Sequence, residues 1–461
     1  MDELIMSVSG LRGVIGTSLT PETAARYVTA FARQLHAERA ASDIRPRVIV
    51  GRDGRASGVM LQRVVIAGLE ASGCDVLVAD VAATPTIGVL VRDQAADGAI
   101  QITASHNPPP YNGMKLFSPS GRVIGAEAGA SIRVAYQQHH SCWQAFDAIG
   151  SAIEIDDPHQ PHLELVQATV DANAIAAKSF RVLLDSNHGS GAALGARLLA
   201  ALGCEVVLVG EVPDGCFAHV PEPTAENLQS IAIRVAKEKC DLGFCQDPDA
   251  DRLALIDASG RYIGEEFTLA LCVQRALSRE ETCGPIVING ATSGMSERLA
   301  EAAGVAVYRS AVGEANVADL MIAKQAAYGG EGNGGPIDPR VGYVRDSFVA
   351  MAQVLALMSE KNASLAELAD ALPRLAIYKT KTKTTVDSAA LPKLLQRVAA
   401  KFSDADADFS DGLRLAWKDR WLLVRGSNTE PIVRLIAEAG SEPQARALCD
   451  AAAECIAQSN A

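Results

Sequence analysis

Four short stretches of this chain carry side chains whose types and spacing could do chemistry. The first runs Ile100-Gln101-Ile102-Thr103-Ala104-Ser105-His106-Asn107-Pro108, an apolar run that stops at a polar Ser-His-Asn and then at three prolines, Pro108 to Pro110. Proline has no backbone donor and pushes the residue before it out of helical space, so a strand is predicted to end here with Ser105 on a constrained, accessible loop. Such a serine is either a turn residue or a nucleophile placed where a strand feeds a cleft. The second stretch, Asp247-Pro248-Asp249-Ala250-Asp251-Arg252, lies between two strand-like runs, Leu242 to Cys245 and Leu253 to Ile256. Its alternating carboxylates repel one another unless a hard cation gathers them, and oxygen ligands suit Mg²⁺ or Ca²⁺; the other reading is a solvated acidic turn. An EF-hand is excluded, because Arg252 stands where glycine is required and Ala258 where the bidentate glutamate should be.

The third stretch, Gly330-Glu331-Gly332-Asn333-Gly334-Gly335, formally matches the dinucleotide fingerprint. That fingerprint must open a helix, whereas Pro336 and Pro339 follow at once and no helical period starts before about Asp346. A tight loop fits better, with Glu331 and Asn333 offering groups suited to sugar hydroxyls, or else a glycine turn with no ligand. The fourth, Arg425-Gly426-Ser427-Asn428-Thr429-Glu430-Pro431, packs a guanidinium, two hydroxyls, an amide and backbone donors into one turn, with Arg434 close behind. That donor set holds a phosphate, against the alternative of an Asn-Thr turn beside a surface arginine. Two cations complete the set. Arg12 lies in Ser9-Gly10-Leu11-Arg12-Gly13, and Lys115, just past an expected Asn112-Gly113 turn, could fold back toward Ser105; each is otherwise an ordinary surface charge.

At 461 residues, 48% of them apolar, the chain is long enough for three or four units. A formal charge of −13 with a pI near 5.2 argues against a nucleic-acid or anionic-membrane partner, both of which need a broad basic face. Ten scattered cysteines form no zinc-like double pair and read as reduced, mostly buried thiols. With Asp2 and Glu3 at the start and no apolar run of roughly 18 residues, a soluble cytoplasmic protein is expected.

The elements that must position these loops alternate strand and helix, so the fold class is α/β with largely mixed sheets. Thr20-Pro21-Glu22 opens a helix, a strand follows at Arg47 to Val50, and another helix runs from about Ser57 to Ser72. Three segments repeat the order helix, glycine, strand, with the glycine at 73, 203 and 304, which suits three domains built alike. Roughly the last ninety residues differ. Strands near 377–386, 413–417, 421–424 and 432–437, with helices near 391–402 and from Pro443, make a smaller α+β unit. The expected domains are 1–155 with the serine loop, 156–256 with the acidic loop, 257–372 with the glycine loop and 373–461 with the phosphate loop.

Taken in this order, Ser-Gly-Leu-Arg-Gly at 9 to 13, Thr-Ala-Ser-His-Asn-Pro at 103 to 108, Asp-Pro-Asp-Ala-Asp-Arg at 247 to 252, the Gly-Glu loop at 330 and Arg-Gly-Ser-Asn-Thr-Glu-Pro at 425 to 431 resemble the α-D-phosphohexomutase family over nearly the whole chain. The resemblance implies three similar α/β domains plus a smaller C-terminal one around a central cleft. Ser105 would cycle through phosphoserine, with His106 beside it, and Asp247, Asp249, Asp251 and Ser105 would hold Mg²⁺. Arg12 and Lys115 match the proton-transfer candidates, Arg252 would lie beside the metal loop, and Glu331 with Asn333 would bind the sugar. Arg425, Ser427, Asn428, Thr429 and Arg434 would grip the phosphate that is not reacting. A sugar 1,6-bisphosphate activator and a small sugar phosphate partner follow, with a monomer or homodimer left open. The commoner loop form is Gly-Glu-x-Ser-Gly-His; here Asn333 replaces serine and Gly335 replaces histidine, a form similar to archaeal-type mutases assigned to glucosamine phosphate or to mannose and glucose phosphates. Glucosamine phosphate is the favoured expectation. Competing readings are a sugar-phosphate binding protein without turnover, a phosphoserine-type phosphatase and an NAD-dependent dehydrogenase.

Overall fold

The computed structural model describes residues 4–7, 9–39, 44–279, 284–384, 390–426 and 432–458. Its first three sheets repeat one strand order. In the first, Arg47–Arg52, Asp75–Val81 and Gly98–Ile102 run parallel, and Tyr111–Phe117 is antiparallel beside the last of them, giving the spatial order fourth, third, first, second. The same order and polarity hold for Arg181–Asp185, Glu205–Val209, Leu242–Gln246 and Leu253–Asp257. They hold again for Ile286–Asn289, Val307–Ser310, Tyr328–Glu331 and Gly335–Ile337. The first sheet is widened by Gly10–Val14 and Ile5–Met6 on one edge and by Ala152–Glu154 on the other. In every copy the connection from the third strand to the antiparallel fourth carries one chemical loop: Ser105, then Asp247 to Arg252, then the turn at Gly332 to Gly334.

Local sequence explains the repeat. The helices Gly58–Ala71, Ala192–Ala201 and Met295–Ala302 each lead to a glycine at φ 75°, 75° and 70°, and that left-handed residue turns the chain back into the next strand. The helix Pro21–Glu38 starts as expected, with the Thr20 side chain accepting from the Thr23 N–H and proline in the first turn. One local expectation is corrected and one holds. Asn112-Gly113 is no turn but lies inside the strand Tyr111–Phe117, because Gly113 sits where the Leu11 and Thr103 carbonyls would collide with any Cβ, the latter at 2.8 Å. The glycine loop at 330 is a tight hairpin in which Glu331 pairs with Gly335.

The second and third units share one core. The helix Ser347–Lys361 is buried continuously from Ser347 to Met358 and packs with Leu184, Leu198, Leu269 and Ile288 in a single apolar cluster. Three units also meet through a polar chain: the Thr86 hydroxyl lies 2.9 Å from His162 Nδ1, and His162 Nε2 lies 2.7 Å from Asp346 Oδ2, with His162 fully buried. The C-terminal unit is an antiparallel sheet, Ala376–Lys383, Ile432–Ala439, Trp421–Gly426, Leu413–Ala416 and Asp406–Asp408, covered by the helices Leu391–Lys401 and Glu442–Ala457 over a separate core. Asp406–Asp408 has no apolar pattern, is exposed throughout and owes its conformation to pairing with Leu413–Ala416. This unit docks on the third through buried Glu438, which accepts from Ser293 Oγ at 2.5 Å and from the Gly294 N–H at 2.9 Å. The eight described cysteines from Cys74 to Cys449 are free, and among the described residues no helix is long and apolar enough to cross a membrane.

Candidate active site

Ser105 follows the fully buried strand Gly98–Ile102 and takes φ 48°, a conformation a serine holds only when its surroundings fix it. They do so in layers. Thr103 Oγ1 accepts from the Ser105 N–H at 2.9 Å and donates to Asp53 Oδ2 at 2.7 Å. Buried Arg55 donates to Asp53 and spreads its guanidinium over four carbonyls of the same loop: Ser105 at 2.7 Å, Asn107 at 2.5 Å, Pro108 at 3.0 Å and Tyr111 at 2.9 Å. Burial raises the Asp53 carboxyl, and Arg55 opposes that shift. The expectation of an accessible serine is corrected: Ser105 is only 4% exposed, because the second unit closes over it. Its Oγ donates to Asp247 Oδ2 at 2.9 Å and lies 3.3 Å from His106 Nδ1. Burial first, then Arg252 and Arg12, push the His106 ring down to about 3, so it is neutral.

The acidic loop is buried rather than solvated, and one oxygen from each of Asp247, Asp249 and Asp251 can lie within 4.8 Å of the others. Asp247 Oδ1 ties the loop by accepting from the Asp251 and Arg252 N–H groups, both at 3.1 Å. Thr84 donates to Asp249 Oδ2 at 2.6 Å. Lys115 Nζ lies 3.4 Å from Asp249 Oδ2 and 3.1 Å from Asp251 Oδ2, so its ammonium rests on the acidic loop rather than on the serine. Burial alone would lower Lys115, but Asp251 and Asp249 outweigh it and raise its pKa. Burial, together with Asp249 and Asp251, pushes Asp247 well above the carboxylate range. Asp249 Oδ1 and Asp251 Oδ1 are buried with no hydrogen-bond partner. Burying such oxygens unpaired costs several kcal/mol, on the order of the desolvation penalty of an ion, so this donor set fits a hard divalent cation.

Glu331 is occupied on both oxygens: Oε1 accepts from Asn289 Nδ2 at 2.6 Å and the Gly313 N–H at 3.0 Å, and Oε2 from Arg345 at 2.7 Å. Arg345 also reaches Asp251 Oδ2 at 2.6 Å, joining the glycine hairpin to the acidic loop. Toward the C-terminal unit, Arg425 Nε donates to Asp411 Oδ1 at 2.7 Å, while Asp411 Oδ2 accepts from the Val312 N–H at 2.7 Å, one residue before Gly313. Arg425 and Arg434 are directly paired across two strands, and Arg434 is exposed. Ser427, Asn428 and Thr429 lie outside the described residues. Arg12 donates to Asn107 Oδ1 at 2.6 Å, its guanidinium lowered by burial although Asp249 opposes it. Arg252 Nε and Asn333 Oδ1 are buried without a hydrogen-bond partner, Arg252 Nε lying 3.8 Å from Asp251 Oδ1. Ser105, His106, Arg12, Lys115, the three aspartates, Arg252 and Glu331 therefore belong to one connected site, reached from Arg425 through Asp411. Arg55, Thr84 and Arg345 are additions that the sequence motifs do not contain. Gly51-Arg52-Asp53-Gly54-Arg55 at the end of a strand is the visible signal for one of them, and an arginine just ahead of a helix-capping Asp346 is that for another.

Three copies of one α/β unit that bring a serine, a buried acidic triad and arginine-bearing loops together define an enzyme of phosphoryl transfer. Four family profiles match in order: phosphoglucomutase/phosphomannomutase domain I at residues 4–141, domain II at 160–260, domain III at 265–375 and the C-terminal domain at 381–455. The chain is 37% identical over 438 residues, 95% of each chain, to a phosphoglucomutase/phosphomannomutase of Thermococcus kodakarensis. It is 31% identical over 443 residues, 95% of this chain and 96% of the other, to a phosphoglucosamine/phosphogalactosamine mutase of Sulfurisphaera tokodaii. The crystal structure of a phosphoglucomutase/phosphomannomutase family protein from Burkholderia thailandensis superposes with a TM-score of 0.84 over 98% of both chains at 26% identity. The chain belongs to the α-D-phosphohexomutase family, isomerases that work as intramolecular phosphotransferases.

Proposed function

We propose that the protein interconverts the 6- and 1-phosphates of a hexosamine or hexose, with glucosamine phosphate the leading substrate, through phospho-Ser105 and a sugar 1,6-bisphosphate that also serves as activator. The observation that carries this reading is the 2.9 Å hydrogen bond from Ser105 Oγ to Asp247, which seats the serine of one unit on the acidic triad of the next. Asp247, Asp249 and Asp251 would hold Mg²⁺, which when bound supplies charge neutralisation at the phosphoryl oxygens. In the first half-reaction the bond between phosphorus and Ser105 Oγ breaks while one forms to the sugar's free hydroxyl, whose proton passes to a base in the site. Arg12 and Lys115 are the proton-transfer candidates and, with Arg252, are suited to the charge that builds on the transferring group, whereas His106, kept neutral by burial and the neighbouring guanidiniums, is too weak a base to hold that proton. The bisphosphate then reorients, Ser105 attacks the other phosphate, and the proton returns to the new sugar hydroxyl. Arg425 and Arg434, with Ser427, Asn428 and Thr429, would hold the idle phosphate at either end of the sugar.

Ser105→Ala should abolish turnover and the phosphoryl mass increment seen after incubation with sugar bisphosphate; undiminished mutase activity would overturn the reading. Turnover of glucosamine, glucose and mannose 1-phosphates compared under one bisphosphate activator tests the sugar. A binding protein without turnover would show sugar-phosphate binding and no phosphoryl group on Ser105.

A further inference from the structure

The glycine hairpin lacks a side chain at its last position, and another residue fills that space. A Cβ on Gly335 would collide with Arg345 Cδ and lie 2.8 Å from its Cγ and 2.9 Å from its Cβ. The aliphatic stem of Arg345 thus runs through the volume that any side chain at position 335 would claim, including the histidine of the commoner loop form. Its guanidinium then divides between two carboxylates of different units, Glu331 Oε2 at 2.7 Å and Asp251 Oδ2 at 2.6 Å. The backbone behind it is fixed on every side. The Arg345 N–H donates to Glu314 Oε1 at 2.8 Å, the Asp346 N–H donates to Pro336 O at 2.9 Å, and Asp346 caps the buried helix Ser347–Lys361. A planar fork on a locked backbone holds two carboxylates at a set separation, which a single point charge does not do.

From this geometry we propose that Arg345 is a positioning residue for the mutase reaction: it stands in for the missing side chain at position 335 and sets the sugar-binding Glu331 against the acidic loop at Asp251. Position 335 is then glycine because Arg345 needs its space. The two residues act as one device, and a change at either is felt through the guanidinium. The proposal rests on the sugar and metal roles given above for Glu331 and Asp251.

The test is a double-mutant cycle of Gly335→Ala and Arg345→Ala in the full chain, followed by mutase kinetics and by calorimetric titration of glucosamine 1-phosphate into protein kept metal-free with chelator. Each single change should lower kcat/KM and weaken metal-free binding by at least about tenfold, the scale on which a supporting hydrogen-bond partner acts. The double variant should fall within about twofold of the worse single one, since a methyl group added at position 335 does harm only by displacing Arg345. Arg345→Lys, whose single nitrogen cannot occupy the positions of both guanidinium nitrogens, should recover either KM or kcat and not both. Additive losses, or an Arg345→Ala protein within about twofold of wild type in both assays, would overturn the proposal. Thermal unfolding midpoints of all variants identify losses caused by misfolding, and Arg345→Lys then carries the test. Wild-type protein without mutase activity would instead sink the catalytic reading, while the metal-free titration would still decide whether positions 335 and 345 act together.

Discussion

Ser105 is held from behind by Thr103, Asp53 and Arg55. Arg55 satisfies four carbonyls of the serine loop at 2.5 to 3.0 Å, and one flexible thioether can replace none of those bonds. Arg55→Met should therefore free the loop and lower kcat by about a hundredfold or more while KM for sugar phosphate moves much less, because a misplaced reacting group loses alignment rather than binding. Kinetics on a variant with an unchanged far-ultraviolet spectrum would check this. At this scale the sequence is legible where chemistry is contiguous: the triad and its neighbouring Arg252 stand within six residues, and the serine is announced by a strand that stops at prolines. For Arg55 and Arg345 the sequence offers a local signal but not what they bind, and for Thr84 it offers none, because the partners are remote. Thr84 meets Asp249 across 165 positions and Arg345 meets Asp251 across 94, and no local pattern encodes such a pairing.

One strand order, used three times, delivers the serine, the acidic loop and the glycine hairpin from the same connection in each copy. The helix-glycine-strand repeat can be read because an apolar helical face followed by a left-handed glycine is local; the strand order cannot, because neighbours in a parallel sheet come from distant segments. The misplaced Asn112-Gly113 turn shows the same limit, since Gly113 is required by carbonyls of two other segments, Leu11 and Thr103. Elements also steady one another's loops. Thr84 begins the helix Thr84–Asp93 in the first unit, and both its N–H, at 2.9 Å, and its hydroxyl, at 2.6 Å, bind Asp249 of the second. Thr84→Val keeps the shape and the N–H but removes the hydroxyl. Mg²⁺ affinity should drop by about tenfold to a hundredfold, the usual effect of losing a partner behind a metal ligand, as read by calorimetric titration.

Across the whole molecule, an excess of acid is compatible with an anionic ligand because Arg12, Lys115, Arg252 and Arg345 converge on the site. The seam between the third and fourth units adds a pH dependence of its own. Glu266, 15% exposed, accepts from the Ser293 N–H at 3.0 Å and lies 3.7 Å from Lys379; burial, opposed by Lys379, pushes it up from 4.5 to about 7. A carboxyl that holds its proton more tightly when folded favours the fold most below its unfolded pKa, and that advantage is lost as pH rises through about 7. The loss amounts to roughly 3 kcal/mol at most. Glu266→Gln should thus unfold at a higher temperature than wild type at pH 8 and at nearly the same temperature at pH 4, in melting curves followed by circular dichroism.

The buried chain from Thr86 through His162 to Asp346 bears on how the protein is made. A polypeptide emerging from the ribosome presents Thr86 and His162 long before Asp346, and until position 346 arrives the imidazole must either stay hydrated or be buried without its acceptor, at a penalty of about 1 to 3 kcal/mol. The second unit also shares its apolar core with the helix that Asp346 caps. The second unit therefore completes its packing only once the third has been synthesised, whereas the fourth, with its separate core, can fold on its own schedule.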